Sequence, residues 1–587
     1  MRTQKLNYLM KKLNLPIFLL STLFFLGCAK DDTKTEKELE TPLLPPLMPE
    51  MELSGTEAKA IGYIKTTSLP KLIQKAVSVA QAIKPGPQVA MLPAMAGLAL
   101  GDPALTSVDQ EAPVTALVFD DFSRQANHLP SFVLAMKLSP ESPVIKQAEN
   151  MNMQTIEVDG WTLATMNPQL FKEVEDWSSF LSFAKENPEE DIEMVISMNV
   201  FWENLTKMKK SVFEAIEFST LPPDSKVDAG QIVEVLLDEL ATTEATKLEL
   251  MLSESEIGFR STLSAKTETA LFTFLSSKTE TQSMKVSKYI SGDGWMDMII
   301  SLNTDSMSIY FNHLFSLLKE SVNNEEWKNG FSKFISLMDN SIPLYGGQVA
   351  TSYRNSAKGK NPISFVQVGE MKGSEEEFNN VMNEWVVLLK DMFSIIDPGN
   401  DFNIKYEINL TGDSEIDGAQ VYRFGMKMNA DDSELDTLLA SYTDTTSYYM
   451  IRDGFYFMTS SKRDLKELYN SFKNKKPVEG NLASKMTLEP GQFMTWRLNL
   501  AGYAEMVMSM VNLGGGIMGE AIQGLKELKI PPVTGSAYLG GGRVSTEILI
   551  PLESIKAGVD YFENMKPREM KPIETEIDED IPEVEGE

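Results

Sequence analysis

At 587 residues the chain is longer than one hydrophobic core usually serves, so two or more domains are expected. Apolar residues make up 42% and charged ones 24%, a globular composition that excludes a membrane bundle and long disorder. A formal charge of -30 repels phosphate backbones and excludes nucleic acid as a partner. With one cysteine, Cys28, and two histidines, His128 and His313, internal disulfides and Cys- or His-rich metal sites are excluded as well.

Arg2, Lys5, Lys11 and Lys12 precede an apolar run, Leu15 to Leu26, that leads into Phe25-Leu26-Gly27-Cys28. The run is shorter than the roughly 20 residues of a membrane-spanning helix, so it reads as a cleaved targeting segment. These residues resemble the type II signal peptide of bacterial lipoproteins, with Phe25 standing where that family favours Leu. The resemblance implies that residues 1–27 are removed and that Cys28 carries acyl chains such as palmitate. Membrane attachment through this anchor follows, in the bacterial envelope and at its outer membrane. Lys30-Asp31-Asp32 is similar to the surface-export signal of some bacterial lipoproteins, which would extend the location to the cell surface. Each buried methylene adds about 0.8 kcal/mol, so two or three chains anchor stably where one does not. Removing residues 1–27 takes four positive charges and no acid, leaving -34 in place of -30.

From residue 28 to 56 the chain is rich in Thr, Lys, Glu and Pro, including Pro42, Pro45, Pro46 and Pro49. It reads as the lipidated cysteine and a flexible tether, extended at about 3.1 Å per residue where polyproline-like. At the other end, 567–587 reads as an acidic disordered tail.

Between the tails a short apolar strand, a capping residue and an amphipathic helix recur. Ile61 to Ile64 precedes Ser68 and Pro70; Met194 to Met198 precedes Asn199; Met298 to Leu302 precedes Asn303; Phe493 to Trp496 precedes Asn499. Ser and Asn can accept hydrogen bonds from unpaired amides at a helix start, and Pro suits its first turn. A second unit, Asp-Gly between apolar strands followed by a helix, occurs at Asp159-Gly160 and Asp453-Gly454. A third closes each half, Phe259 to Leu263 before Ala270, Leu271 and Phe274, and Val544 to Ile550 before Leu552, Ile555 and Val559. The order is the same in both halves, with offsets of 235 from Ser68 to Asn303, 294 from Gly160 to Gly454 and 300 from Asn199 to Asn499.

The fold class expected is α+β: two related halves of antiparallel sheet with helices packed on one face. The first half is 57–285 and the second 286–566, with an insertion near 390–450 that holds a hairpin of Asn403 to Leu410 and Ala419 to Met428. In this order of units the body resembles a loose group of exported bacterial proteins built from two such halves. That resemblance implies no activity and no site residues.

Chemistry-bearing motifs are weak. Gly514-Gly515-Gly516-Ile517-Met518-Gly519 matches G-x-G-x-x-G in spacing, but it follows a segment with helical spacing and lacks the acidic residue of a ribose partner. Asp413, Glu415, Asp417 and Gly418 resemble the start of a calcium loop, yet Phe424 stands where the bidentate acid belongs, so a hairpin turn is the better reading. His128 and His313 read as surface or packed residues, and no nucleophile elbow, metalloprotease helix or P-loop is present. Two segments rich in Met, Gly and Ala, Ala90 to Leu100 and Met506 to Leu525, suit either an irregular core or a permissive binding surface. The expectation is therefore a lipid-anchored envelope protein acting as a non-catalytic binding or scaffolding module. No catalytic, cofactor-binding or metal-ligating residue is assigned, no cofactor is expected, and the partner is an unknown protein or hydrophobic ligand. The rivals are a carrier of lipid or acyl chains and a hydrolase using paired carboxylates.

Overall fold

Three Asp-Gly pairs set tight hairpins, because each places both central residues at positive φ, a conformation that matches the twist of the flanking strands. They are Asp159 and Gly160 (φ 51° and 74°), Asp417 and Gly418 (50° and 75°), and Asp453 and Gly454 (54° and 77°). The computed structural model describes residues 44–564 apart from 121–129, 203–234, 278–285, 357–362, 397–404, 430–444, 512–529 and a few shorter stretches. The acidic tail expected at 567–587 lies outside the described residues.

The first-half strands are β1 (Ala60–Thr66), β2 (Val114–Phe119), β3 (Phe132–Met136), β4 (Gln154–Val158), β5 (Trp161–Thr165), β6 (Ile192–Ser197), β7 (Thr243–Leu252) and β8 (Glu256–Ala265). The second half contributes β9 (Met296–Ser301), β10 (Tyr345–Asn355), β11 (Ile363–Met371), β12 (Lys405–Ile416), β13 (Ala419–Asn429), β14 (Thr445–Arg452), β15 (Phe455–Thr459), β16 (Gln492–Leu498), β17 (Val533–Gly540) and β18 (Arg543–Pro551). All named neighbours pair antiparallel. Across the first half the order is β4-β5-β3-β2-β1-β6-β7-β8. Across the second it is β12-β13-β14-β15-β11-β10-β9-β16-β17-β18. The two orders coincide strand for strand once the hairpin β12–β13 is set aside. That hairpin sits within the stretch where an insertion is expected.

The halves do not form separate sheets. β8 pairs with β18 along its length, from Glu256 with Pro551 to Ser264 with Arg543, and makes one sheet of 18 strands. A single cross-strand row runs Ala116–Ile64–Met194–Leu248–Ser261 and continues Thr546–Ala537–Met494–Ile300–Val349. Ser261 and Thr546 occupy equivalent places in the two halves and are also direct partners. An approximate twofold axis therefore passes between them.

The α+β class is evident, and the helices are divided between the two faces. On the face bearing Tyr63, Leu170, Phe180 and Leu181 cover Leu117, Val133 and Leu163, while Leu465, Leu468 and Tyr469 cover Val368, Met450 and Phe457. In the first half this cover is split into helices Pro168–Glu173 and Ser178–Ala184, because the backbone is extended at Val174. On the face bearing Ile64, the long helices Thr304–Ser321, Glu325–Ser341 and Glu375–Ile396 pack on one another around Phe315, Phe334 and Trp385. Leu47, Met48, Met51 and Leu53, within the stretch expected to be tether, pack on the first-half core. The folded body therefore takes up the end of that stretch.

Two of the expected caps form: Asn303 accepts from the Ser306 amide at 3.2 Å, and Asn499 from the amides of Ala501 and Gly502 at 3.1 and 3.2 Å. Ser68 does not cap, since its buried hydroxyl donates to the Gln110 carbonyl at 2.6 Å, and Pro at the helix start does the work there. Val at Gly160 or Gly454 would meet the positive-φ penalty of about 1–2 kcal/mol. Urea unfolding of Gly160→Val and Gly454→Val should each show a loss of that size with the m-value unchanged.

Candidate functional site

Charged residues gather on the Tyr63 face where the halves meet. The period of two along each strand aligns Lys65, Glu193, Glu249, Arg260 and Glu547 as direct partners across β1, β6, β7, β8 and β18. The adjacent row is Tyr63, Val195, Lys247, Thr262 and Ser545. Thr262 and Ser545 share a hydrogen bond of 2.7 Å across the junction.

Lys247 is the centre of this arrangement. Its ammonium lies 2.9 Å from Glu189, 3.0 Å from Glu193 and 3.0 Å from Glu249. Burial alone would lower its pKa, but hydrogen bonds to Glu189, Glu249 and Glu193 hold it above the ordinary lysine value. Arg260 extends the network, 3.2 Å from Glu190, 3.7 Å from Glu249 and 2.9 Å from Glu547. Tyr63 donates to Glu193 at 2.5 Å, and burial followed by this contact pushes its pKa up. Lys65 donates to the Phe183 carbonyl at 2.8 Å with its ammonium 3.5 Å from the Phe183 ring centroid, and burial lowers its pKa to about 8.

Glu189, Glu193 and Glu249 are close enough together to hold a metal ion. The Lys247 ammonium already fills the space between them, so an entering cation would have to displace it. The same pairing leaves these carboxylates without the free acid and free base that hydrolysis requires. Asp297 on β9 is fully buried, and burial raises its pKa. It accepts from Ser352 at 2.8 Å and lies 3.7 Å from Arg497. Ser352, Arg497, Lys485 and the Gly294 amide favour its charged form against that burial.

The other sequence candidates disperse. Asp413 pairs with Lys462 at 2.8 Å and Asp417 with Lys473 at 2.6 Å, so the calcium-like stretch is a hairpin turn with two of its acids facing lysines. His313 sits 3.3 Å from Glu239 on a half-exposed helix surface. Cys28, His128 and Gly514–Gly519 lie outside the described residues, as does most of the Met506–Leu525 segment.

The opposite face carries an apolar strip at the same junction. Ile64, Leu248, Phe259 and Ile548 are 38–47% exposed on β1, β7, β8 and β18, with Met194 of β6 between the first two, and Phe259 and Ile548 are direct partners. Their counterparts across the twofold axis are covered: Ile300 and Ala537 are buried, and Leu263 and Val544 pack beneath Leu271, Phe272 and Phe274. The Ala90–Leu100 segment is also open, with Met91, Leu92, Met95 and Leu98 exposed.

No family model, curated protein or solved structure matches this chain. Among the described residues no helix is long and apolar enough to cross a membrane.

Lys247→Met would strand Glu193 and Glu249 as buried charges, a loss of about 3–5 kcal/mol at neutral pH. Those carboxyls would then hold protons more tightly folded than unfolded, so the loss shrinks as pH falls toward 5. In the wild type, the raised Lys247 pKa means that its contribution is complete below about pH 10, the unfolded lysine value, and fades above. Urea unfolding of both proteins from pH 5 to 7 should show their stabilities converging on the acid side.

Proposed function

We propose that this protein is held to the bacterial envelope by acyl chains on Cys28 and serves there as a non-catalytic binding or scaffolding module. The observation that carries the reading is the open strip of Ile64, Leu248, Phe259 and Ile548, whose symmetry-related positions are covered from within the chain. Open apolar surface of this kind marks an interaction site. The charged network supports the non-catalytic part, since its acids are matched by Lys247 and Arg260.

A second reading, a carrier of acyl chains, rests on the same strip, because flat apolar strands can receive a lipid tail as well as a protein side chain. A photo-crosslinking residue at position 259, in cells of the host, separates the two. A protein-sized adduct at 259 that is absent from the same residue at exposed position 376 supports the module. A lipid adduct supports the carrier, and no adduct at 259 contradicts both. Radiolabelled palmitate tests the anchor: full-length product should be labelled and Cys28→Ser should not, and an unlabelled wild type contradicts attachment at Cys28.

A further inference from the structure

We propose that the segment from Pro85 to Gly101 is a second membrane contact, lying in the lipid interface once the anchor has brought the body to the bilayer. This rests on the Cys28 anchor proposed above. Between Lys84 and Asp102 the chain has no charged residue, in a protein whose formal charge is -30. It folds as helices Pro87–Ala90 and Leu92–Ala99. Gly97 faces inward, where any side chain would collide with the carbonyls of Asp102 and Pro103. Met91, Met95 and Leu98 face outward, 57–62% exposed, at the i, i+4, i+7 spacing of one helical stripe.

A tethered body keeps the stripe within reach of the bilayer. β1, β7 and β18 run in the same direction, since antiparallel partners alternate between them. Helices Leu69–Ile83 and Leu552–Asn564 follow the ends of β1 and β18, and Lys84 pairs with Glu563 where their own ends meet. Arg543, the first residue of β18, donates to the Pro45 carbonyl, so the tether leaves the body beside the start of that strand. The fifteen residues from 29 to 43 can span at most about 50 Å. Confinement within that distance raises the effective concentration of bilayer around the stripe, so a weak contact suffices.

The occupant follows from the chemistry. With no Lys or Arg on the segment, anionic headgroups offer no attraction, and the acidic body repels them. Flexible Met and Leu side chains suit disordered acyl chains at the boundary of a zwitterionic surface.

The test uses residues 29–587 with an amino-terminal hexahistidine, bound to phosphatidylcholine vesicles through a nickel-chelating lipid that replaces the native anchor. Met95→Cys, then the only cysteine, carries an environment-sensitive dye; Ile309→Cys, equally exposed on another helix, is the control. The dye at 95 should shift to the blue and be quenched about twofold by brominated acyl chains, as expected for interfacial depth. Replacing half the phosphatidylcholine with phosphatidylglycerol should weaken that response, and the dye at 309 should not respond. Silence at 95, an equal response at 309, or a concentration-dependent shift without vesicles, which would mark a second copy as the occupant, overturns the proposal. Because nickel lipid supplies the tether, such a failure leaves the Cys28 reading to its own palmitate test.

Discussion

The backbone ladder between β8 and β18 is the constraint on which the rest of the molecule depends. Two antiparallel sheets of this kind would each present an open edge at that strand, and an open edge invites pairing with other chains. Joining them turns two edges into one central ladder. Among the described residues the remaining edges are β4, only five residues long, and β12, whose exposed positions include Glu407, Asp413 and Glu415. Short length and charge are the usual means of keeping an edge solitary.

The junction also decides where charge is placed. A chain with 84 acidic and 54 basic residues has many carboxylates to accommodate, and each buried one is costly unless paired. Bringing β6, β7, β8 and β18 into adjacent positions lets Lys247 and Arg260 serve Glu193, Glu249 and Glu547 together. Because Glu547 comes from the second half, the ion network links the halves along the same line as the backbone ladder. The symmetry is broken at the level of side chains. The place of Lys247 is taken in the second half by Ser536, opposite Glu547 on β18, and the apolar strip is open on one side of the axis only.

Much of this was legible in the residues. Asp-Gly between apolar strands dictates a hairpin by local sterics alone, and Asn before a helical pattern caps it, so the repeated order at Gly160, Asn303, Gly454 and Asn499 could be read directly. The hairpin of β12 and β13 was legible for the same reason. Ser68 misled because Ser caps and Ser hydroxyls that bond a distant carbonyl look identical in sequence. The charged network was not legible. Glu193, Lys247, Glu249 and Arg260 become neighbours only through register across two ladders, and register is a tertiary property. A signal existed in Lys247 and Glu249, two apart on a strand and so on one face, but their partners could not be chosen among so many acids.

The apolar surface follows the same division. Strand patterns placed Ile64 and Phe259 in sheet positions and left Leu248 unread, but only the packing of helices over the second half and away from this strip distinguishes them from their covered counterparts. The account therefore stands on the continuity of the sheet at the twofold axis. Its most direct test is a Ser261→Cys, Thr546→Cys double variant made without Cys28. Directly opposite residues place their Cβ atoms about 4.5–5.5 Å apart, so a short bifunctional thiol reagent should join the two within one chain in the native state and not in urea. Two free thiols after native treatment, or links only between chains, would contradict the joined sheet.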